Sequence, residues 1–214
     1  MKFTKANTFC ISLSTAVERR ERMQQRFQYF GMDVTMWDAS TPQTLTDVFH
    51  IIMRPNEKAC AQSHINIWKH MINANIDYAL ILEDDACFDK AWKTKLEKFS
   101  ETIQDDEWDV IMLNASESMK IHHIWMKDKE QYLTAGYVLS LRGAHRLVDA
   151  FQGCFCGSDW MLSRLQQREH SYCYFPWLII QEGKDSTIRE DCSPDHKKVV
   201  RLLKEAQYDL ENYI

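Results

Sequence analysis

In the first half of the chain, short apolar runs alternate with helical stripes. Thr8–Leu13 reads as a first strand. A helix follows through Phe30, with Met23, Phe27 and Phe30 at helical spacing, Ser14 or Thr15 as its cap and Gly31 as its stop. Asp33–Trp37 reads as a second short strand, while Ser40–Arg54 has no clear period and fits a loop or short helical turns. From Asn56 to about Ala74 an amphipathic helix carries Cys60, His64, Ile67 and Met71 on one face. A strand then ends at Glu83, a helix covers about Lys90–Ile103, and Trp108–Leu113 forms a further strand.

The second half is less regular. Ile121–Lys127 and Gln131–Ser140 read as strands, joined as a hairpin around Lys127–Glu130. A helix at about Arg142–Phe151 places Ala144, Leu147, Val148 and Phe151 together. Ser158 reads as the N-cap of a helix carrying Met161, Leu162 and Leu165. Tyr172–Ile180 is strand-like but interrupted by Pro176, which implies an edge or a bend. A last helix, about Asp195–Leu210, holds Val199, Leu202, Leu203 and Ala206 on one side. Strands alternating with helices predict an α/β, Rossmann-like domain with a mixed, mainly parallel sheet flanked by helices. No internal repeat or domain boundary interrupts it.

Composition narrows the class. With 214 residues, 45% hydrophobic and 27% charged, the chain has the material of one globular domain. A formal charge of −5 argues against a general nucleic-acid binder. Six Gly and four Pro disfavour linkers and disordered tails. The N-terminal segment reads as a strand rather than a signal peptide, and no apolar run approaches the ~20 residues needed to span a membrane. The seven scattered cysteines then read as reduced thiols of a cytoplasmic protein. Cys154-Phe-Cys156 lacks a second ligand pair for structural zinc. His122-His123 sits in a strand segment whose adjacent side chains face opposite ways, so the two do not share a metal.

The strongest chemical signal is Tyr78-Ala-Leu-Ile-Leu-Glu-Asp-Asp-Ala86, an apolar run that stops in three carboxylates. Strand ends of this kind are where open α/β sheets bind ligands. Adjacent negative charges need a cation or positive groups opposite them, and oxygen ligands suit Mg²⁺ or Mn²⁺ bridging to substrate phosphates. An acidic surface loop is the alternative. Asp159, at the start of a helix beside Trp160, reads either as helix-dipole compensation or as a general base that deprotonates an attacking hydroxyl. Trp160 offers a flat face for a sugar, or belongs to the core. Arg19 and Arg20, in Glu18-Arg-Arg-Glu-Arg22 after the first strand, are placed to meet phosphates or to form a solvated helix face. His64 reads as a hydrogen-bonded core histidine. Lys197, Lys198, Arg201 and Lys204, opposite the last helix's apolar stripe, offer either a solvated face or a peripheral contact with an anionic membrane.

Several of these segments together resemble glycosyltransferase family 25, above all its bacterial lipooligosaccharide galactosyltransferases, with collagen galactosyltransferases as more distant cousins. They are Ile11–Arg20, Glu57–Cys60, Ser63-His64 with Trp68-Lys69, Leu82–Asp85, Thr134–Ser140 with Gly143-Ala144, Ser158-Asp159, and Pro176 with Gln181-Glu182. The resemblance implies one GT-A-type domain over 1–214. Its donor-binding half would be about 1–115, its acceptor side about 116–195 and its C-terminal helix about 195–210. It also implies inverting, metal-dependent transfer of a sugar, galactose by inheritance, from a UDP-sugar to a glycan or glycolipid hydroxyl, with a place in lipopolysaccharide biosynthesis. Asp85, helped by Asp84, would hold Mn²⁺ or Mg²⁺. Ile11, Ser12, Leu13, Arg19, Arg20, Glu83 and Asp84 would face the donor, with Gln181, Glu182 and Ser186 as further candidates. Asp159 would be the base, and Trp160, Tyr137 and His64 would line the acceptor side. A metal-dependent nucleotidyl- or phosphotransferase, or a non-catalytic UDP binder, are the competing classes.

Overall fold

The computed structural model describes residues 1–103, 106–114, 125–127, 132–167, 170–182 and 194–214. Strand β1 (Thr8–Ser12) leads into helix α1 (Val17–Tyr29), then β2 (Thr35–Asp38), α2 (Pro55–Ala74), β3 (Tyr78–Glu83) and β4 (Ala86–Phe88). Helix α3 (Trp92–Thr102), β5 (Val110–Met112), β6 (Trp125–Lys127) and β7 (Gly136–Ser140) follow. The chain continues through α4 (Leu141–Phe151), α5 (Ser158–Gln166), β8 (Ser171–Tyr174), β9 (Ile179–Gln181) and α6 (Pro194–Glu205), with a 3₁₀ turn at Leu210–Asn212.

Seven strands form one mixed sheet in the order β2-β1-β3-β7-β5-β8-β6. Five of them run the same way, while β7 and β6 are reversed, so the expected mixed, mainly parallel α/β sheet is what forms. Helices α2, α4, α5 and α6 cover one face and α1 and α3 the other. Covering both faces explains the unbroken apolar run of β3. Ala79 and Ile81 enter one core, and Leu80 and Leu82 the other.

Helix α2 begins with Pro55 in its first turn, and Glu57 reaches back to accept the Arg54 backbone N–H at 2.9 Å. Helix α1 ends at Gly31, whose φ of 57° lies in the left-handed region where glycine meets no Cβ penalty. Two expected caps are not formed. Ala16 occupies the N-cap of α1 without a side-chain bond, so neither Ser14 nor Thr15 serves there. Gly157, not Ser158, is the N-cap of α5, which leaves the Ser158 hydroxyl for the Cys60 thiol.

The expected hairpin across Lys127–Glu130 does not form either. Strand β6 pairs with β8, and β7 lies between β3 and β5. Pro176 does break the strand-like stretch, since β8 stays in the main sheet while β9 pairs with β4 in a separate ribbon. The last residues close over that ribbon: Phe88 and Ile214 exchange backbone hydrogen bonds of 2.8 and 2.9 Å, and Tyr213 Oη donates to the Trp177 carbonyl at 2.6 Å. Helix α6 buries Val199, Leu202 and Leu203 and turns Lys197, Arg201 and Lys204 outward. Among the described residues no helix is long and apolar enough to cross a membrane.

Candidate active site

Parallel pairing of β1 and β3, with Ile11 opposite Glu83, brings Ser12 beside the acids that follow β3. There a cleft of about 390 Å³ opens at the C-terminal ends of both strands. Ile11, Ser12 and Leu13 form one side, Arg19 enters from α1, Cys60 and Ser63 come from α2, and Glu83, Asp84 and Asp85 form the acidic floor. Gln181 also reaches it from β9. A second cavity, about 220 Å³, lies at the opposite, N-terminal end of β1 and shares none of these residues.

The three acids have different surroundings. Asp84 accepts the Ser12 hydroxyl at 2.6 Å and pairs with Arg19. Its pKa is raised, because burial outweighs the pull of Ser12 and Arg19. Asp85 lies 3.7 Å from the same guanidinium through Oδ2, while its buried Oδ1 has no hydrogen-bond partner among the described residues. Burial, and then the neighbouring charge of Glu83, push Asp85 up to about 7. A buried carboxylate oxygen left without a partner is costly. Asp85 therefore fits a divalent ion. Asp84 is already engaged by Ser12 and Arg19.

Glu83 is held from behind. Thr134 Oγ1 donates to its Oε1, and His64 Nε2 lies 3.2 Å from the same atom. Burial would raise this carboxyl, but the bonds from His64 and Thr134 and the charge of Arg19 bring it below its ordinary value. The donors behind it form a chain. Trp68 Nε1 donates to Tyr137 Oη at 3.0 Å, and Tyr137 Oη lies 2.8 Å from His64 Nδ1. Indole can only donate, so Tyr137 Oη accepts there, and the tautomer in which the Tyr137 O–H donates to Nδ1 and Nε2–H donates to Glu83 satisfies every member of the chain.

His64 and Tyr137 are both fully buried, so they brace Glu83 from within the core and do not line an acceptor surface. Tyr137→Phe should cost about 1–3 kcal/mol, since it strands one buried donor and one buried acceptor. Urea unfolding would measure this, and an unchanged midpoint would show that the chain is not coupled as described.

The other expected site residues divide. Arg20 is a strap rather than a phosphate ligand. It donates to the Leu13 and Ser12 carbonyls at 3.0 and 2.7 Å and pairs with Asp38 at 2.5 Å, away from the cleft. Glu182 is likewise held outside the cleft by Arg22 at 3.2 Å and Arg26 at 3.5 Å, while its backbone N–H donates to the Asp85 carbonyl at 2.7 Å. It therefore fixes the acid loop instead of facing a donor. Ser186 and His122-His123 lie outside the described residues.

Asp159 occupies the first turn of α5, as expected, and its Oδ1 accepts the Trp160 backbone N–H at 2.7 Å. Trp160 is 38% exposed, packs edge-on to Phe151 and carries Arg164 over its ring at 4.6 Å. The Cys60 thiol links this end of α5 to the cleft. Burial raises its pKa first, with further contributions from Glu83, Asp159 and Asp85, while Ser158 hydrogen-bonds it. Cys60, Ser63 and Thr134 stand in the family-like segments of the sequence but carry no expected site role there, and the Ser40–Gln43 wall has no signal in the sequence. Only the i, i+4 spacing of Cys60 and His64 could have marked the first of them.

A Rossmann-like sheet with an acidic cleft at its C-terminal edge defines a ligand-binding α/β protein. The chain belongs to glycosyltransferase family 25, whose model, described as an LPS biosynthesis protein, matches residues 5–162. It is 27% identical over 174 residues to a glycosyltransferase 25 family member of Anopheles gambiae, covering 69% of this chain and 29% of that protein. It is 28% identical to procollagen galactosyltransferase 1 of Danio rerio, over 66% of this chain and 28% of the relative. With procollagen galactosyltransferase 2 of Homo sapiens the identity is 26%, over 66% and 27%. The chain thus spans less than a third of the length of these curated relatives.

Proposed function

We propose that this chain transfers a sugar, galactose first among the candidates, from a UDP-sugar to a glycan or glycolipid hydroxyl with inversion. The observation that carries the reading is the buried, unpartnered Asp85 oxygen on the floor of a strand-end cleft. Family membership and galactosyltransferase relatives support it. Asp85, with Asp84 beside it, would hold Mn²⁺ or Mg²⁺, which supplies charge neutralisation for the departing diphosphate. Ile11, Ser12, Leu13 and Gln181 would frame the donor, and Arg19 would turn from the acids toward diphosphate oxygens. Asp159 would take the proton of the acceptor hydroxyl as that oxygen attacks the anomeric carbon from the face opposite UDP. Trp160, exposed beside it, would stack on the acceptor.

A cytoplasmic location is supported by the six free thiols among the described residues. A role in lipopolysaccharide assembly is supported by the family's description. The outward cations of α6 are compatible with peripheral membrane contact.

The test is UDP release from UDP-galactose with Mn²⁺, across acceptors ending in glucose, N-acetylglucosamine or a procollagen peptide. UDP formed in step with a galactosylated product is expected. Phosphoryl or nucleotidyl transfer would replace this reading with the competing enzyme class. Tight UDP binding without turnover on any acceptor would leave a non-catalytic binder.

A further inference from the structure

We propose that Cys60, His64 and Glu83 form a second metal site, selective for a borderline-soft divalent ion such as Zn²⁺ and distinct from the all-oxygen position at Asp85. Cys60 and His64 lie four residues apart on α2, one above the other on the same helix face. Glu83 meets them from the end of β3. One ligand atom from each, the thiol sulfur, a ring nitrogen and a carboxylate oxygen, lies within 4.8 Å of the other two.

The geometry is close to that of a bound ion. His64 Nε2 and Glu83 Oε1 are 3.2 Å apart. Two light atoms bound at about 2.0–2.1 Å on a tetrahedral zinc are separated by about 3.3 Å. The edges to sulfur need to be about 3.5 Å for a Zn–S bond of about 2.3 Å, so binding requires the Cys60 sulfur to close on the other two atoms from within 4.8 Å. Entry of the ion replaces the Nε2–H···Glu83 hydrogen bond. The thiol proton leaves, and the imidazole carries its proton on Nδ1.

The chemistry of the donor set separates this site from its neighbour. Thiolate and imidazole suit zinc, whereas magnesium and manganese prefer oxygen. Cys60 and Glu83 line the cleft, so the fourth position opens to solvent or ligand. Outer contacts of the kind that orient metal ligands surround the set: Tyr137 Oη lies beside His64 Nδ1 and turns from donor to acceptor when the ion binds, Thr134 donates to Glu83, and Ser158 meets Cys60. If the transferase reading holds, an ion here would occupy Glu83 and close the cleft floor, so zinc would inhibit. The test does not depend on that reading.

Co²⁺ reports the site as a spectroscopic stand-in for zinc. Titration of chelator-treated protein should produce a thiolate-to-cobalt charge-transfer band with intense tetrahedral ligand-field bands, and added Zn²⁺ should bleach them. The bands should vanish in Cys60→Ser and persist in Asp85→Asn, with folding of each variant checked by circular dichroism. In the unaltered protein, Zn²⁺ should also protect Cys60 from iodoacetamide, as mapped by peptide mass spectrometry. Absence of the band, its survival in Cys60→Ser, its loss in a folded Asp85→Asn, or alkylation of Cys60 unaffected by Zn²⁺ would each overturn the proposal. Failure of UDP-sugar turnover would leave it standing.

Discussion

Asp159→Asn should bind the donor as tightly as the unaltered protein and lose transfer by roughly 10²–10⁴-fold, the usual contribution of a general base. The substitution keeps the shape of the side chain and an oxygen that can accept the Trp160 N–H, which it does at 2.7 Å. It removes the negative charge and the basic lone pair. Loss of charge at the start of α5 costs about 0.3–1 kcal/mol through the helix dipole, too little to unfold the domain. Single-turnover rates and UDP titration calorimetry separate the two effects. Undiminished transfer would remove Asp159 from the chemistry, and weakened UDP binding would move it to the donor shell.

The elements legible in the sequence were those whose cause is local. Helix α2 shows its stripe, its Pro55 start and its Glu57 back-bond within one segment. Strand β3 is recognisable because both of its faces are buried. Strand β4 is three residues long and directly follows the acids; it exists only because β9 pairs with it from nearly a hundred residues away. The insertion of antiparallel β7 between β3 and β5 is equally non-local, and for that reason the chain offers a false hairpin.

The site divides along the same line. An apolar run stopping at Glu83 marks the acids, but which of them is already engaged depends on Ser12 and Arg19 arriving from β1 and α1. Arg19 and Arg20 are neighbours in sequence, yet about 100° apart around a helix, so one enters the cleft and the other straps Ser12, Leu13 and Asp38. Glu182 sits beside Gln181, but strand alternation turns the two apart, and Arg22 and Arg26, one turn apart on α1, capture the glutamate. Cys60 reads as part of an apolar stripe because its polar partners, Ser158 and Glu83, come from other elements.

Asp85→Asn should make the metal-free protein more stable at about pH 8 while abolishing metal-dependent donor binding. Burial first, and the charge of Glu83 second, raise Asp85 from the usual 3.8 to about 7. Between those values the folded protein holds a proton that the unfolded chain has released, so stability falls as pH rises through the window and stays low above it. Asparagine carries no charge at any of these pH values and escapes that fall. In chelator, the variant's melting temperature should therefore exceed that of the unaltered protein at about pH 8, and the gap should close toward about pH 4. Added Mn²⁺ should reverse the order, because a cation opposite the ionised carboxylate relieves the cost in the unaltered protein alone. Melting curves over this range, with and without Mn²⁺ and UDP, decide the matter. A gap independent of pH would remove Asp85 as the titrating group, and Mn²⁺-dependent UDP binding that survives in the variant would place the donor's metal elsewhere. If both expectations hold, Asp85 is a residue that destabilises the metal-free fold by the same ionised oxygen that its function requires.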